Sequence, residues 1–519
     1  RIRRLVLEEG VTSVGRYAFC GLTALTAADL PSSLTTIDWG AFQDCRGLTG
    51  ITIPSGVTTI GFMAFEDCRG LTSITLPDSV TSLDSAVFWS CRSLTSVTLP
   101  AGLTSIGEHL FDHCTSLTNI TIPRGVTAIG ESAFYRCDAL TSIDLPSGVT
   151  TIGASAFRNC SRLTSVTIPS GVTTIGASAF KECSRLESIT LPDGLTTIGE
   201  SAFEFCEALT SVTLPNGLTA IGDNAFRSCE KLTSLTIPNT LTTIGDWAFY
   251  GCTSLETVSG SSGRLQTIGA YAFAHCEVLT FPTDSYGSNL LTYVQSIGKY
   301  AFFRCKALTY VKFLNLTSLD EGVFTESGLR VADLRSTSVT TIPTWTFASC
   351  PLLVAMLGED VTTIASQAFY RCTQLKSIYI PAALTTVYGE SFPYRSDMAQ
   401  QLHVFFGGTS SAWEKAMPRN DSSSALTDAR LVTYYRFPEV DSCDWSFSTD
   451  ATLTIGTMSG GDSRYAAPWA VYMPAVEKLV VEEGVKTISY YAFTDAWSLT
   501  SVSLPDSLTL IALDAFNGC

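Results

Sequence analysis

Cysteine is the residue whose placement in this chain most invites chemistry. Fifteen of the seventeen cysteines stand three residues after a phenylalanine, from Cys45 to Cys252 at intervals of 23 and then at Cys276, Cys305, Cys350, Cys372 and Cys519; Cys20 and Cys443 fall outside the row. A row of thiols can pair as disulfides, hold a soft metal or act as a redox array. If each interval is one coil of a stack, neighbouring sulfurs are close but their Cβ vectors run parallel, and a disulfide needs vectors that converge. One ligand per coil also offers no closed tetrahedral set for zinc. Leu22, Ser327 and Ala496 occupy the same position in other copies without breaking the period. The spacing therefore predicts unpaired, buried thiols that pack as small apolar groups.

The remaining ionisable chemistry is sparse. Of the four histidines only His109 and His113 are neighbours, in EHLFDHC with Glu108, Asp112 and Cys114. On an α-helix that spacing could hold zinc. Here it falls at variable positions of a recurring corner, AFxxC, and reads as a solvated surface pair. HExxH, a phosphate-binding GxxxxGK[ST], GxSxG and CxxC are all missing from the sequence, and the carboxylates scatter over variable positions. The expectation is a chain that is not an enzyme, with no catalytic, metal-binding or cofactor-binding residues.

Hydroxyl is what recurs on the outside. Thr72, Ser73 and Thr75 are followed by Thr95, Ser96 and Thr98, then by Thr118, Asn119 and Thr121, and later by Thr210, Ser211 and Thr213. Stacked as strands, these residues form a flat lattice. Threonine favours strands in any case, so the rows read either as strand filler or as a broad polar contact sheet for protein or glycan. A second candidate binding element is the inserted segment near 277–300, whose aromatic residues Phe281, Tyr286 and Tyr293 are expected to be exposed on a loop.

The elements that position these residues follow from the period. Phenylalanine stands at Phe19 and at every twenty-third residue to Phe249, then at Phe273, Phe302, Phe324, Phe347, Phe369 and Phe392, and again at Phe493 and Phe516. In LTSVTLPNGLTAIGDNAFRSCEK, residues 209–231, alternation points Leu209, Val212 and Leu214 inward and Thr213 outward, giving one short strand per coil. Pro215 has no amide to donate and should stop the ladder. Leu218 and Ile221 form a second inward segment. Gly222, replaced by Asp38, Asp84 and Asp320 in sister coils, reads as a left-handed bend. Ala225, Phe226 and Cys229 should close the coil as one turn of helix or 3₁₀-helix. A single coil buries too few side chains to fold alone, so stability has to come from stacking on neighbours.

Bulk properties narrow the function classes. Apolar residues make up 45% and charged residues 15%, with a net charge of −16. That balance repels polyphosphate, so no nucleic-acid partner is expected. The longest apolar runs fall far short of the roughly 20 residues a spanning helix needs, so no transmembrane segment is expected in this chain. RIRRLVLEEGV lacks the regions of a secretion signal, and any such signal lies outside this chain.

The pattern LPxxVTxIGxxAFxxC, complete at Leu145, Pro146, Val149, Ile152, Gly153, Ala156, Phe157 and Cys160, resembles the BspA-like leucine-rich repeat family of surface proteins. The resemblance implies a β-rich leucine-rich repeat solenoid of short parallel strands with a 3₁₀ or short-helix turn per coil. It divides the chain into a solenoid over 1–392, a small α/β closing cap and linker over 393–440, a β-hairpin cap over 441–475 that includes Trp445, Leu453, Ile455 and Trp469, and the start of a second array over 476–519. VEKLVVEEGVKTISYYAF aligns without a gap on residues 2–19, at an offset of 474 that also carries Cys519 onto Cys45. By the same resemblance the function is adhesion or binding at the cell surface or outside the cell, directed at host or cell-surface proteins or glycans. The alternative is a filament or surface-layer subunit whose partners are copies of itself.

Overall fold

The computed structural model describes residues 2–260, 264–282, 289–398, 401–417, 424–432, 445–448, 450–456 and 469–519. Tyr286 and Cys443 lie outside them. The chain forms two compact units, one of Arg1–Leu265 with Ala272–Cys276, the other of Gln266–Tyr271 with Glu277–Cys519.

In the first unit the coil at 209–231 shows how sequence becomes structure. Leu209, Val212 and Leu214 are buried around the strand Ser211–Val212, and Thr213 faces out. Pro215 ends the strand, and its carbonyl accepts the N–H of Leu218 at 3.1 Å to make the turn. The sequence predicts one strand per coil; the structure has two. After the proline turn, Ala220–Ile221 is a second strand, paired in parallel with Thr197–Ile198 and Thr243–Ile244. A β-branched, half-buried segment next to an identical one 23 residues away gains a ladder by extending. Two parallel sheets therefore run along the unit. Strand pairing in the first covers residues 4–51, 73–98 and 165–259, and the second runs from Ser13–Val14 to Thr243–Ile244 with one break, between Ser82–Leu83 and Ser105–Ile106.

The corner adds a third set of inter-coil bonds. The N–H groups of Ser201, Phe203 and Phe205 donate to the carbonyls of Asp223, Ala225 and Arg227 in the next coil, each at 2.8 Å. Bonds of the i→i+3 kind close the corner, as from Glu204 N to Ser201 O at 3.1 Å. Two left-handed residues per coil, here Ser201 at φ 54° and Phe205 at φ 59°, keep it from continuing as a helix.

The left-handed bend is therefore not at Gly222, whose φ is not positive. Glycine is needed there because coils touch: a Cβ on Gly222 would lie 2.8 Å from the carbonyl oxygen of Ile198 and 2.9 Å from the amide of Glu200. Where aspartate takes this place, its carboxylate accepts the N–H of the following residue, at 2.8 Å for Asp38, 2.8 Å for Asp84 and 2.7 Å for Asp320.

Phenylalanine fills the centre of every coil. Phe42 to Phe249 are fully buried, with successive rings 5.2–5.9 Å apart and near parallel. This offset stacking suits the ring quadrupole and adds to area burial.

The second unit continues the same code with a different strand face. Tyr310–Lys312, Val331–Asp333, Val354–Met356, Ser377–Ile380, His403–Phe406 and Arg430–Val432 form a six-stranded parallel sheet. Helix Ser410–Ala416 follows the fifth strand; Thr409 caps it by accepting the amide of Ala412 at 3.0 Å, and Trp413 packs 5.3 Å from Phe406. The hairpin Trp445–Phe447 with Thr452–Ile455 is antiparallel, and its second strand pairs in parallel with Lys478–Val481. Trp469 is fully buried, donates Nε1–H to the carbonyl of Ala492 at 2.7 Å and stacks on Phe493, so the indole begins the ring column that Phe493 and Phe516 continue.

Candidate functional site

The candidate face is the outer side of the first sheet in the first unit. Strand alternation puts one inward residue between two outward ones: Ile74 is buried between Ser73 and Thr75, and Val97 between Ser96 and Thr98. Parallel pairing then aligns like with like, Ser73 with Ser96 and Thr75 with Thr98, and further along Ser165, Ser188, Ser211 and Ser234 in one row. All twelve candidate residues, Thr72 through Thr213, are exposed.

Their hydroxyls are not equivalent. Thr72, Thr95, Thr118 and Thr210 each donate Oγ1–H to a carbonyl of the preceding coil, at 3.3, 3.0, 3.4 and 3.2 Å, the acceptors being Thr49, Thr72, Thr95 and Glu187. These four tie coil to coil. Among the described residues Ser73, Thr75, Ser96, Thr98, Asn119, Thr121, Ser211 and Thr213 make no side-chain hydrogen bond, and their polar groups face solvent.

The lattice is also not strand throughout: Asn119 and Thr121 sit in extended backbone outside any strand, after an inter-coil bond from Thr118 N to Thr95 O of 3.4 Å. Ser211 and Thr213 line a recess of about 650 Å³ whose walls include Asp193, Pro215, Asn216, Thr236 and Pro238. The sequence marked the hydroxyls but not this rim, because the Pro-Asn pairs lie 23 residues apart and only stacking makes them neighbours.

Of the inserted aromatics, Tyr293 is 40% exposed, while Phe281 is buried edge-on against Phe302 at 5.8 Å. The expectation of an exposed Phe281 is thus corrected: in Leu279-Thr280-Phe281-Pro282 it takes the inward place directly before the proline that leucine holds in other coils. Tyr286 lies outside the described residues.

His109 and His113 occupy the two left-handed corner positions, φ 53° and 59°, so no helix aligns them. Both Nδ1 atoms contact the carboxylate of Asp112, His109 at 2.7 Å and His113 on the other oxygen, and Asp112 is only 3% exposed. The pair expected to be solvated is organised around one buried carboxylate.

Among the described residues the thiols are free. Cys45 to Cys372 in the row are buried, while Cys20 and Cys519 are exposed. From Cys45 to Cys276, and again at Cys350 and Cys372, Sγ reaches back to a phenylalanine carbonyl of the preceding coil, as from Cys206 to Phe180 at 3.2 Å and from Cys229 to Phe203 at 3.3 Å. Burial pushes the Cys183, Cys252 and Cys350 thiols up to about 12, which removes the thiolate that redox or metal chemistry requires.

The same outer face is built differently in the second unit. There Val331, Val354, Met356, Tyr379 and Phe405 replace hydroxyls and are buried with Leu453, Trp469, Val471, Met473 and Leu479 in one cluster. Ser377 Oγ donates to the carbonyl of Val471 at 2.6 Å, and Lys376 pairs with Glu477 at 3.2 Å. Where the face is covered within the unit it is mainly apolar, with Asp333, Ser377 and His403 as buried polar residues among the apolar ones.

Among the described residues no helix is long and apolar enough to cross a membrane. No curated protein matches the chain. Among solved structures it is similar to a leucine-rich repeat protein from Bacteroides ovatus, with 26% identity over 73% of this chain and 87% of that one and a TM-score of 0.47. It is similar also to a leucine rich cell surface protein from Faecalibacterium prausnitzii, with 24% identity over 80% and 90% of the two chains and a TM-score of 0.35. A family model described as the BspA type leucine rich repeat region matches residues 1–114, 81–207, 173–290, 286–399 and 470–519. Those stretches hold the repeating Phe, Cys and Leu-Pro positions that build the coils, and the chain belongs to the BspA-type leucine-rich repeat family.

Proposed function

We propose that this chain is a non-enzymatic binding protein of the cell surface or extracellular space, an adhesion module that engages proteins or glycans across the outer strand face of its first unit. The observation that carries this reading is the contrast between the two units. The face is mainly apolar where it is covered, and in the first unit it keeps in-register rows of exposed hydroxyls that have no side-chain partner among the described residues. Ordered hydroxyls at strand spacing favour a polar, water-containing interface. The recess beside Ser211 and Thr213 gives that interface a concave point of entry.

A second reading, a subunit of a filament or surface layer, is favoured by the recurrence of residues 2–19 at 476–493, which gives one chain two closely matching coils 474 residues apart. One experiment addresses both. The purified chain is tested for binding to a panel of extracellular matrix proteins and glycans beside the quadruple variant Ser73→Lys, Thr75→Lys, Ser96→Lys, Thr98→Lys, with sedimentation to report self-association. The adhesion reading expects a dispersed chain and at least about a tenfold loss of affinity in the variant at unchanged Tm. Binding that ignores the variant contradicts it, and end-to-end assembly of the pure chain favours the filament.

A further inference from the structure

The corner side of the second unit carries aromatic residues for which coil stacking has no need. At the first left-handed position of the corner the first unit mostly holds small residues, such as Ser132, Ser155, Ser178, Ser201 and Asn224 with φ between 51° and 57°, although Tyr17, Met63, His109 and Trp247 also take it, singly and not in adjacent coils. In the second unit the same position holds Tyr271, Tyr300, Gly322 and Trp345 at φ 55°, 53°, 65° and 58°. Gly322 is needed for Tyr300: a Cβ there would lie 2.2 Å from the Tyr300 ring. Tyr300 and Trp345 are two coils apart, roughly 10 Å at strand spacing. The result is a recess of about 490 Å³ walled by Tyr271, Tyr300, Phe303, Trp345 and Tyr370, with Thr325, Ser349, Arg371 and the Arg304-paired Glu326 at its polar points.

The walls are held in place. The Trp345 indole N–H donates to Gln367 Oε1, and the Gln367 amide donates to Glu390 at 2.9 Å, while 37% of Trp345 stays exposed. Nearby charges are cancelled in pairs, Lys299 with Glu321 at 2.7 Å and Arg304 with Glu326 at 2.7 Å. Arg371 has no carboxylate partner among the described residues, and its guanidinium lies 5.3 Å from the Tyr370 ring centre. The unpaired Arg371 guanidinium beside the Tyr370 ring complements a carboxylate set beside an apolar ring surface, a local positive point against the chain's net charge of −16.

We propose that this recess binds an acidic saccharide, with pyranose C–H faces laid on Trp345 and Tyr300, hydroxyls on Thr325 and Ser349, and the sugar carboxylate on Arg371. Polarised C–H groups meet the negative face of an aromatic ring, and guanidinium meets carboxylate through paired, charge-assisted bonds. A purely apolar ligand would leave Arg371 and Ser349 unmatched; Thr325, whose Oγ1–H donates to the Trp345 carbonyl at 2.7 Å, has acceptor capacity to offer. The site is on a different side of the coils from the hydroxyl rows and stands or falls separately from them.

The test is titration calorimetry on the full chain with two probes, a tetrasaccharide of alternating glucuronic acid and N-acetylglucosamine and the neutral tetrasaccharide cellotetraose. Saturable binding with preference for the acidic probe is expected. Trp345→Ala should weaken both probes by about tenfold, Trp345→Phe should retain most of the affinity, and Arg371→Gln should remove most of the preference for the acidic probe. The strand-face variant with Ser73, Thr75, Ser96 and Thr98 changed to Lys should bind both probes as the parent chain does, which separates this site from the face proposed above. Thermal melts confirm that each variant is folded. Failure of both probes to bind, equal affinity for the two, or binding indifferent to Trp345→Ala in a folded variant overturns the proposal.

Discussion

A cysteine in this chain is a packing residue that also makes a hydrogen bond. That it is buried and unpaired was legible from its period and from the tolerance of leucine, serine and alanine at its place. Its bond was not, because the acceptor is the carbonyl of a phenylalanine in the coil before, 26 residues back for Cys206 and Phe180. Ser327 keeps the same column polar by contacting the Cys350 sulfur at 3.4 Å. Burial raises these thiols, Cys45 to about 11 and Cys183 to about 12, so at neutral pH the reactive thiolate is nearly absent and the sulfur is out of reach as well. Iodoacetamide applied to the native chain and read by peptide mass spectrometry should label Cys20 and Cys519 while sparing Cys68 to Cys372. Labelling of the spared set should require denaturant; equal labelling in the native chain would contradict the packing role.

At the scale of one coil, alternation and proline placed the inward residues correctly, from Leu209 to Leu218. The second strand and the site of the bend were harder to see. Both depend on the coil next door, and a single period cannot report its neighbour. Glycine at position 222 reads as a residue chosen for its dihedral freedom, but the structure requires it for close approach. The true left-handed places carry serine, asparagine, histidine, tyrosine and tryptophan, so residue type hid them. This distinction makes a paired prediction. A Cβ on Gly222 would collide with backbone at 2.8 Å, whereas on Gly107, which follows the aspartate-bearing coil of Asp84, the nearest atom is 3.7 Å away. Gly222→Ala should lower stability by about 2 kcal/mol or more through backbone displacement, and Gly107→Ala should leave it within about 0.5 kcal/mol of the parent. Denaturant titration of the two variants checks this, and equal effects would mean that spacing between coils does not set the residue.

Over the whole chain the family and the solenoid were legible because 23-residue copies repeat the same chemistry, while the use of each face was only partly so. The hydroxyl rows were visible, but the recess rim at Pro215 and Pro238 and the aromatic recess around Trp345 form only when distant copies stack. The covered face of the second unit follows the same logic in reverse: Val331, Met356 and Tyr379 interrupt the Ser and Thr code where Trp469 and its neighbours lie on the sheet. All of these features require that each coil be held by the coils beside it through the phenylalanine column and the inter-coil bonds. Hydrogen exchange resolved along the full chain, compared between the parent and Phe180→Ala, tests that claim most directly. Removing a ring that stacks on Phe157 at 5.2 Å and Phe203 at 5.5 Å should cost about 3–5 kcal/mol. The predicted result is a loss of protection that is greatest at the coils of Phe157, Phe180 and Phe203 and fades with distance along the first unit. Protection lost equally at every coil, or only within the mutated one, would contradict it.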